Sequence, residues 1–279
     1  MKINKNSLQA RINNLANEKG VPANVILQDY FFDAFLKRLA ASSYVDNFIF
    51  KGGFLLSTSL GINYRSTMDI DFLLRKESLT RENIEKIFRN IINVTVDDNV
   101  TFEYQGLEEI RKEDDYGGFN VSLIGHLENI KQPVSVDIAT GDPITPSAVI
   151  YTHKCLFDDE QLTFKAYNYE TIIAEKLETI LKRGPANSRS KDFYDLFIIY
   201  KLRWDEININ SLKEAFNNTC QYRESIFSKE EALSTLKNIT NSGAILARWE
   251  SYCKKNQFAR DIVFVEVMAT IEKIIDLVY

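Results

Sequence analysis

The amino-acid sequence predicts an α+β fold in which a mixed β-sheet with flanking helices is followed by a helical C-terminal domain. Apolar residues recur at helical spacing before residue 45 and again beyond residue 167, and short or alternating apolar runs lie between these regions. The composition agrees, since 45% of the 279 residues are hydrophobic and 26% are charged, which excludes a disordered or fibrous chain. We place the first domain at residues 1–165 and the second at residues 166–279.

Each predicted element follows from its local pattern. Two helices fill the first forty or so residues, and the second, after Val21 and Pro22, repeats apolar residues from Leu27 to Leu39 at a 3.6-residue period. Predicted strands cover residues 48–50, 69–74, 100–104, 119–125 and 133–139, and predicted helices cover residues 54–60 and 79–94. Farther on we predict helices at residues 169–181, 190–202, 210–222, 227–237 and 260–278.

The cysteine spacing and the hydropathy pattern predict where in the cell the protein is located. Cys155, Cys220 and Cys253 lie far apart without a CxxC pair, and with two histidines they form no recognisable zinc-binding spacing, so we expect buried, reduced thiols. The N-terminus lacks the apolar core of a signal peptide, and no uncharged apolar stretch reaches membrane-spanning length. These patterns predict a cytoplasmic protein with no membrane contact.

Charge is unevenly distributed along a chain whose net charge is −5. Residues 96–115 carry eight acids against two bases, and residues 176–191 carry five bases against one acid. Such runs are ordinarily solvated faces, but a basic strip beside an acidic catalytic site would suit a triphosphate or an RNA backbone.

Three aspartates are the candidate metal ligands. Asp69 and Asp71 form a DxD pattern at the start of a predicted strand, where alternation sends both side chains to one face with Cα atoms roughly 6.5 Å apart. Asp137 lies in the middle of another strand between apolar neighbours, where an unpaired carboxylate is costly. Strand-borne carboxylates of this kind can hold the two Mg²⁺ ions of a phosphoryl-type transfer. A solvated strand end for the pair, and an arginine partner for Asp137, remain the structural alternatives.

A glycine pair adds a phosphate site to this set. Gly52 and Gly53 follow a predicted strand and open a helix, the geometry in which backbone N–H groups and the helix dipole receive phosphate. Arg65 and Ser66 come just before the DxD pattern and place a guanidinium and a hydroxyl at the same rim. The ordered set predicts a site where a triphosphate lies against a helix N-terminus and its metal ions.

These motifs resemble those of a known family. The segments 51–57 (KGGFLLS) and 65–72 (RSTMDIDF) are similar to the signature of AbiEii/AbiGii-type toxins, which are nucleotidyltransferases of the DNA polymerase β superfamily. Lys176 in AEKL and residues 188–195 (SRSKDFYD) resemble the family's later lysine and K-D-x-x-D helix. The resemblance extends from the N-terminal helices to about residue 200 and implies a nucleotidyltransferase-like sheet whose active-site cleft is completed by the helical C-terminal domain.

The resemblance implies Mg²⁺-dependent transfer of a nucleoside monophosphate from an NTP to an RNA acceptor. Asp69, Asp71 and Asp137 would bind the two metal ions, with Asp137 also acting as the base. Gly52, Gly53, Arg65 and Ser66 would hold the triphosphate together with Lys176, and Lys191 and Asp195 would position Lys176 or the acceptor. The 3′ end of tRNA is the implied acceptor, and the implied setting is a type IV toxin–antitoxin system of phage abortive infection with a cognate AbiEi-like antitoxin that forms no stable complex.

Three details qualify this assignment. Many nucleotidyltransferases have Ser where this chain has Gly53, so any hydroxyl contact to phosphate passes to Ser57 or Ser66. A small-molecule enzyme that modifies an aminoglycoside is an alternative, because the acidic segment 97–115 could form a pocket for a polycation. An inactive fold that only binds nucleotide is a second alternative. The three aspartates argue against it, because a cluster of carboxylates without a function would destabilise the fold through mutual repulsion.

Overall fold

The structure is a computed structural model that describes residues 3–110 and 117–279. Part of the acidic run, residues 111–116, lies outside the described residues. The helices are α1 (Lys5–Lys19), α2 (Ala23–Ala40), α3 (Gly52–Leu60), α4 (Arg81–Ile92), α5 (Tyr169–Arg183), α6 (Ser190–Arg203), α7 (Ile209–Tyr222), α8 (Lys229–Thr240), α9 (Gly243–Lys255) and α10 (Phe264–Val278). The strands are β1 (Phe48–Lys51), β2 (Asp69–Leu74), β3 (Thr101–Ile110), β4 (Gly118–Leu127), β5 (Ile130–Ala139), β6 (Val149–Lys154) and β7 (Gln161–Ala166).

Seven strands within the described part of the chain form one mixed sheet in the order β3-β4-β5-β2-β1-β7-β6. β2 is parallel to β5 and β1 is parallel to β7, whereas the β1–β2, β3–β4, β4–β5 and β6–β7 pairs are antiparallel. β2 and β5 therefore lie in the interior of the sheet and have neighbours on both sides. The predicted α+β class with a mixed sheet, flanking helices and a helical C-terminal region is confirmed.

One face of the sheet packs through aromatic side chains. Phe50 and Phe72 pair in register on β1 and β2, and their ring centroids are 5.5 Å apart. Phe54 of α3 lies 5.8 Å from Phe50 and 4.7 Å from Phe32 of α2, so these two helices cover the face. Burial of rings of this size supplies much of the apolar driving force for this part of the fold. Because side chains alternate along a strand, the residues next to Phe50 and Phe72 point to the opposite face.

The chain divides into two compact units. The first comprises Met1–Gly141 and Val149–Ala166, and the second comprises Asp142–Ala148 and Tyr167–Tyr279. The short segment joins the second unit because Asn168, the N-cap of α5, donates to the carbonyls of Thr145 and Ser147 at 2.9 Å each. The second unit thus begins earlier in the chain than the boundary at residue 166 that we predict from the sequence.

The helical unit has its own core and a buried cluster of charges. Phe264 of α10 packs against Phe193 of α6 and Trp249 of α9, with ring centroids 6.1 Å and 5.7 Å apart. Arg223 forms ion pairs with Glu178 at 2.8 Å and with Asp142 at 3.1 Å. These pairs anchor the segment that begins at Asp142 to the end of α7.

The sequence did not predict three elements: β6, β7 and α9. β7 alternates in burial along its length, but exposed polar residues and its shortness weaken the period-2 signal. β6 is an edge strand, and its Val149 and Ile150 are exposed, so it lacks the usual pattern of a half-buried strand. α9 follows α8 after a break of two residues, and only two of its residues, Ile245 and Trp249, are buried. Among the described residues, no helix combines the length and the apolar character needed to cross a bilayer.

Candidate active site

Four polar residues form a transverse row across the middle of the sheet. Lys51 on β1 pairs in register with Asp71 on β2, Asp71 pairs with Asp137 on β5, and Asp137 pairs with Asn120 on β4. Residues in register on neighbouring strands project to the same face, and adjacent strands lie about 4.8 Å apart. Lys51 is buried and the other three are half-buried, so the row forms a polar band on the face opposite the aromatic core.

The turn between β1 and α3 lies directly beside Asp71. Gly52 has φ of +73°, a conformation that residues with a side chain rarely adopt, and a Cβ atom there would lie 1.9 Å from Asp71 Oδ2. The Gly53 N–H donates to the same Oδ2 at 3.3 Å. The N-cap residue of α3, Lys51, makes no capping hydrogen bond with its own side chain, so the Asp71 carboxylate takes this place. Only glycine lets the backbone approach this carboxylate so closely. The N-terminus of α3 therefore lies beside Asp71, a candidate metal ligand.

Asp69 and Asp137 are each held by a neighbouring polar side chain. The Thr67 hydroxyl donates to Asp69 Oδ1. Asn120 Nδ2 donates to Asp137 Oδ1 and to Ser135 Oγ, both at 2.6 Å. These hydrogen bonds restrict the rotamers of two carboxylates and thereby pre-organise them for a cation.

Arg65 is fixed beside the glycine turn. Its side chain is buried, Nη1 donates to the Ser66 carbonyl, and Nη2 would lie 3.2 Å from a Cβ atom built on Gly53. Ser57 Oγ donates to the Arg65 carbonyl at 2.7 Å and is buried. Ser57 thus positions the arginine backbone, and the half-buried Ser66 is the better placed of the two hydroxyls proposed to replace a serine at position 53.

The donor set of this unit fits a hard divalent cation. Asp69, Asp71 and Asp137 supply only oxygen ligands from two adjacent interior strands, which is the chemistry that Mg²⁺ prefers. Asp71 and Asp137 in direct register would repel each other unless positive charge lies close by. Lys51, one strand away, supplies one such charge to the row.

The second unit contains the remaining candidates. Lys176 Nζ on α5 binds Asp195 Oδ2 at 2.6 Å and Asp192 Oδ1 at 3.1 Å, both on α6. Both carboxylates are almost completely buried, and Asp192 also pairs with Arg189 at 2.9 Å. Lys191 is half-buried one residue before Asp192. Lys176 therefore joins α5 to α6 through buried carboxylates, and Asp195 holds its ammonium group in one place.

The structure thus brings together Gly52, Gly53, Arg65, Ser66, Asp69, Asp71 and Asp137 in the first unit, and Lys176 and Asp195 in the second, where Lys191 lies one turn before Asp195 on α6. Sequence reasoning missed Lys51, Asn120 and Asp192 as candidates. Lys51 directly precedes the glycine pair at the end of a buried strand, which was a usable signal. Asn120 could be found only from the register of β4 against β5.

A mixed sheet with acidic residues on neighbouring strands, beside a glycine turn at a helix N-terminus, is the architecture of a nucleotidyltransferase. Residues 34–267 match the model of the family described as nucleotidyl transferase AbiEii toxin of type IV toxin–antitoxin systems. The match covers more than half of the chain, which therefore belongs to the AbiEii family of nucleotidyltransferase toxins.

Two solved structures from Helicobacter pylori are similar along most of their length. One, described as a candidate nucleotidyltransferase, is 15% identical, covers 92% of this chain and 96% of its own, and has a TM-score of 0.49. The other, JHP933, is 16% identical, covers 91% of each chain and has the same TM-score of 0.49. Among curated proteins, none matches this chain.

Proposed function

We propose that this toxin transfers a nucleoside monophosphate from an NTP to a hydroxyl group of RNA, and that the 3′ end of tRNA is the acceptor. The observation that carries the proposal is the direct register of Asp71 with Asp137, next to a glycine turn that only glycine can form. Carboxylates, backbone N–H groups and a buried arginine are the groups needed to bind metal ions and a triphosphate together.

Each residue has a role in this proposal. Asp69, Asp71 and Asp137 would hold two Mg²⁺ ions, which would neutralise phosphate charge and polarise the reacting phosphorus when bound. Gly52, Gly53, Arg65 and Ser66 would bind the triphosphate oxygens. Lys176 would add positive charge for the triphosphate, Asp195 would fix its ammonium group, and Lys191 would contact the acceptor or the phosphates.

The reaction balances with these groups alone. Asp137 accepts the proton of the acceptor hydroxyl, the hydroxyl oxygen bonds to the α-phosphorus, and the bond to the leaving pyrophosphate breaks. Asn120, which donates to Asp137 Oδ1, orients the base. Family membership supports an antitoxin partner and a nucleotide substrate. We extend this to an AbiEi-like antitoxin that forms no stable complex, a cytoplasmic site of action and a role in phage abortive infection.

The test is nucleotide incorporation by the purified chain. The protein is incubated with Mg²⁺, total tRNA and each α-labelled NTP in turn, and the products are separated on a denaturing gel. Label in tRNA-sized bands that disappears with EDTA and in Asp71→Asn supports the proposal. Label on an added aminoglycoside but not on RNA would replace the RNA acceptor with a small molecule, and nucleotide binding without any transfer would leave a binding module.

A further inference from the structure

A second group of metal-ligating side chains lies elsewhere in the first unit. Asp33 on α2, His153 on β6 and Cys155 just after β6 are all buried, and one ligand atom from each lies within 4.8 Å of the other two. Within the described part of the chain, these three side chains are the one set of His, Cys, Asp or Glu residues close enough together to share an ion. It contains none of the residues of the candidate active site.

Fold topology brings the three residues together. His153 on β6 faces α2, where Asp33 is located, and Cys155, one residue beyond the end of β6, lies close to both. His153 Nε2 lies 2.6 Å from Asp33 Oδ1, and the Leu156 N–H donates to Asp33 Oδ2 at 2.7 Å. The chain after β6 therefore folds over the carboxylate.

The hydrogen bonds of this cluster are incomplete. His153 is 2% exposed, and its Nδ1 has no hydrogen-bond partner within residues 3–110 and 117–279. One turn earlier on α2, Asp29 is 3% exposed, and its Oδ1 also has no partner among the described residues. Buried polar atoms without partners are rare in folded proteins, and an ordered water or a bound ion accounts for such atoms.

A cavity gives access to the cluster. It has a volume of about 360 Å³, and both Asp33 and Cys155 contribute to its wall. Asp97, Asp98, Asp158 and Glu160 also line it, so acids outnumber the single lysine in the wall, Lys37, which pairs with Asp158 and Glu160. An excess of acidic side chains in the wall raises the local concentration of cations.

We propose that Asp33, His153 and Cys155 form a binding site for a divalent transition metal of the zinc type. One carboxylate, one imidazole and one thiolate match the ligand preferences of Zn²⁺, and a hard ion such as Mg²⁺ would avoid the sulfur. Zinc–nitrogen and zinc–oxygen bonds are about 2.0–2.2 Å long, so the His153–Asp33 contact opens slightly to admit the ion. Binding releases the Cys155 thiol proton to solvent, and water completes the coordination.

The bound ion would cross-link two segments that are distant in the sequence. The ion joins α2 to the end of β6, which tethers the edge of the sheet to the helix that covers it. Because the metal binds the folded chain and not the unfolded one, a saturating concentration of Zn²⁺ should raise Tm by roughly 5 °C.

Cobalt spectroscopy tests this assignment directly. The full-length chain is stripped with EDTA and titrated with Co²⁺, which gives a near-ultraviolet thiolate charge-transfer band only when a cysteine is a ligand. We expect this band in the wild type and in Cys220→Ser, whose buried thiol is not in the cluster, and its loss in Cys155→Ser. Ions at the candidate active site give no such band, because its proposed ligands are all oxygens.

A second measurement does not depend on any variant. Iodoacetamide alkylation of the wild type is mapped by mass spectrometry with and without one equivalent of Zn²⁺, and Zn²⁺ should slow modification of Cys155 at least tenfold while that of Cys253 stays unchanged. The absence of a charge-transfer band in the wild type, an unchanged band in Cys155→Ser, or equal alkylation of Cys155 with and without Zn²⁺ would overturn the proposal.

Discussion

Asp71 and Asp137 face each other in register on the parallel strands β2 and β5, although they are far apart in the chain. Two carboxylates that face each other in this way repel unless a metal cation or a positively charged side chain lies close by. Lys51 extends the same row on one side and Asn120 extends it on the other. The pairing of the four strands thus fixes the relative positions of the polar side chains in the row.

Asp71→Asn should remove nucleotide transfer while leaving the fold intact. The amide keeps the shape of the side chain but loses the charge that binds metal, so we expect kcat to fall by about a thousandfold or more. Single-turnover transfer to tRNA and growth arrest on expression are the measurements. Asp205→Asn, at an exposed position of the helical unit, is the matched control and should keep full activity. Growth arrest by a folded Asp71→Asn protein would disprove an enzymatic mode of toxicity.

Gly52→Ala should abolish activity through the neighbouring carboxylate. The new Cβ would lie 1.9 Å from Asp71 Oδ2, so either the turn or the carboxylate must move. Gly20→Ala is a close control, because Gly20 has a similar φ of +66° and open space around its Cβ position. Both variants should lose about 1 kcal/mol of stability from the backbone strain. Urea unfolding combined with the transfer assay separates the shared strain from the effect that is specific to Gly52.

Asn120→Asp should shift the acidic limb of the pH–rate profile upward. A second carboxylate would replace the amide that donates to Asp137 Oδ1, and two adjacent carboxylates raise the pKa of the pair. Because transfer needs Asp137 ionised, the half-maximal point should move to higher pH by about one unit. Ser122→Ala removes a weaker contact to Asn120 at 3.3 Å, and its profile should match that of the wild type. Identical profiles for Asn120→Asp and the wild type would exclude Asp137 as the base.

Lys176→Met should destabilise the helical unit. The change leaves the carboxylates of Asp192 and Asp195 buried without the ammonium group they share, which costs about 3 kcal/mol. Adding Asp195→Asn to the same chain removes one of these buried charges and should recover part of the loss. Chemical denaturation of the single and double variants measures both the loss of stability and its partial recovery. Equal stability of Lys176→Met and the wild type would show that the ion pairs contribute nothing to folding.

Asp29→Asn should stabilise the metal-free protein at neutral pH. Burial, together with the nearby Asp33, raises the pKa of Asp29 well above its ordinary value of 3.8. Above pH 3.8 the unfolded chain releases a proton that the folded chain keeps, so the unfolding free energy falls as pH rises towards the raised pKa. The asparagine removes this dependence. Urea unfolding in EDTA between about pH 5 and pH 8 should therefore give a flatter curve for the variant, whereas the exposed Asp261→Asn should follow the wild type.

Local sequence patterns predicted the α+β order, the DxD strand and the glycine turn, because each depends on residues that are close together in the chain. The residues that extend the row could not be predicted in the same way. Lys51 and Asn120 belong to it only through the register of β1 and β4, which is fixed by pairing across the whole sheet.

Non-local packing also explains the overlooked metal-ligating group. Cysteine and histidine spacing gave no zinc site, because the ligand that completes the cluster, Asp33, comes from a helix that precedes His153 by most of the first unit. β6 itself escaped prediction, since its exposed residues are apolar and its pattern does not alternate cleanly. Both misses arise from contacts that only the folded sheet creates.

Under the proposed residue roles, the four-strand row also sets the earliest point at which the protein could become active. Its members come from β1, β2, β4 and β5, and the last of them to leave the ribosome is Asp137. Pairings between segments that are distant in sequence form late in folding, because chain entropy opposes their closure. A nascent chain that ends before β5 contains the glycine turn and the DxD pattern but lacks the opposing carboxylate. Under these roles, the proposed activity would arise only after β5 has been synthesised and has paired with β2.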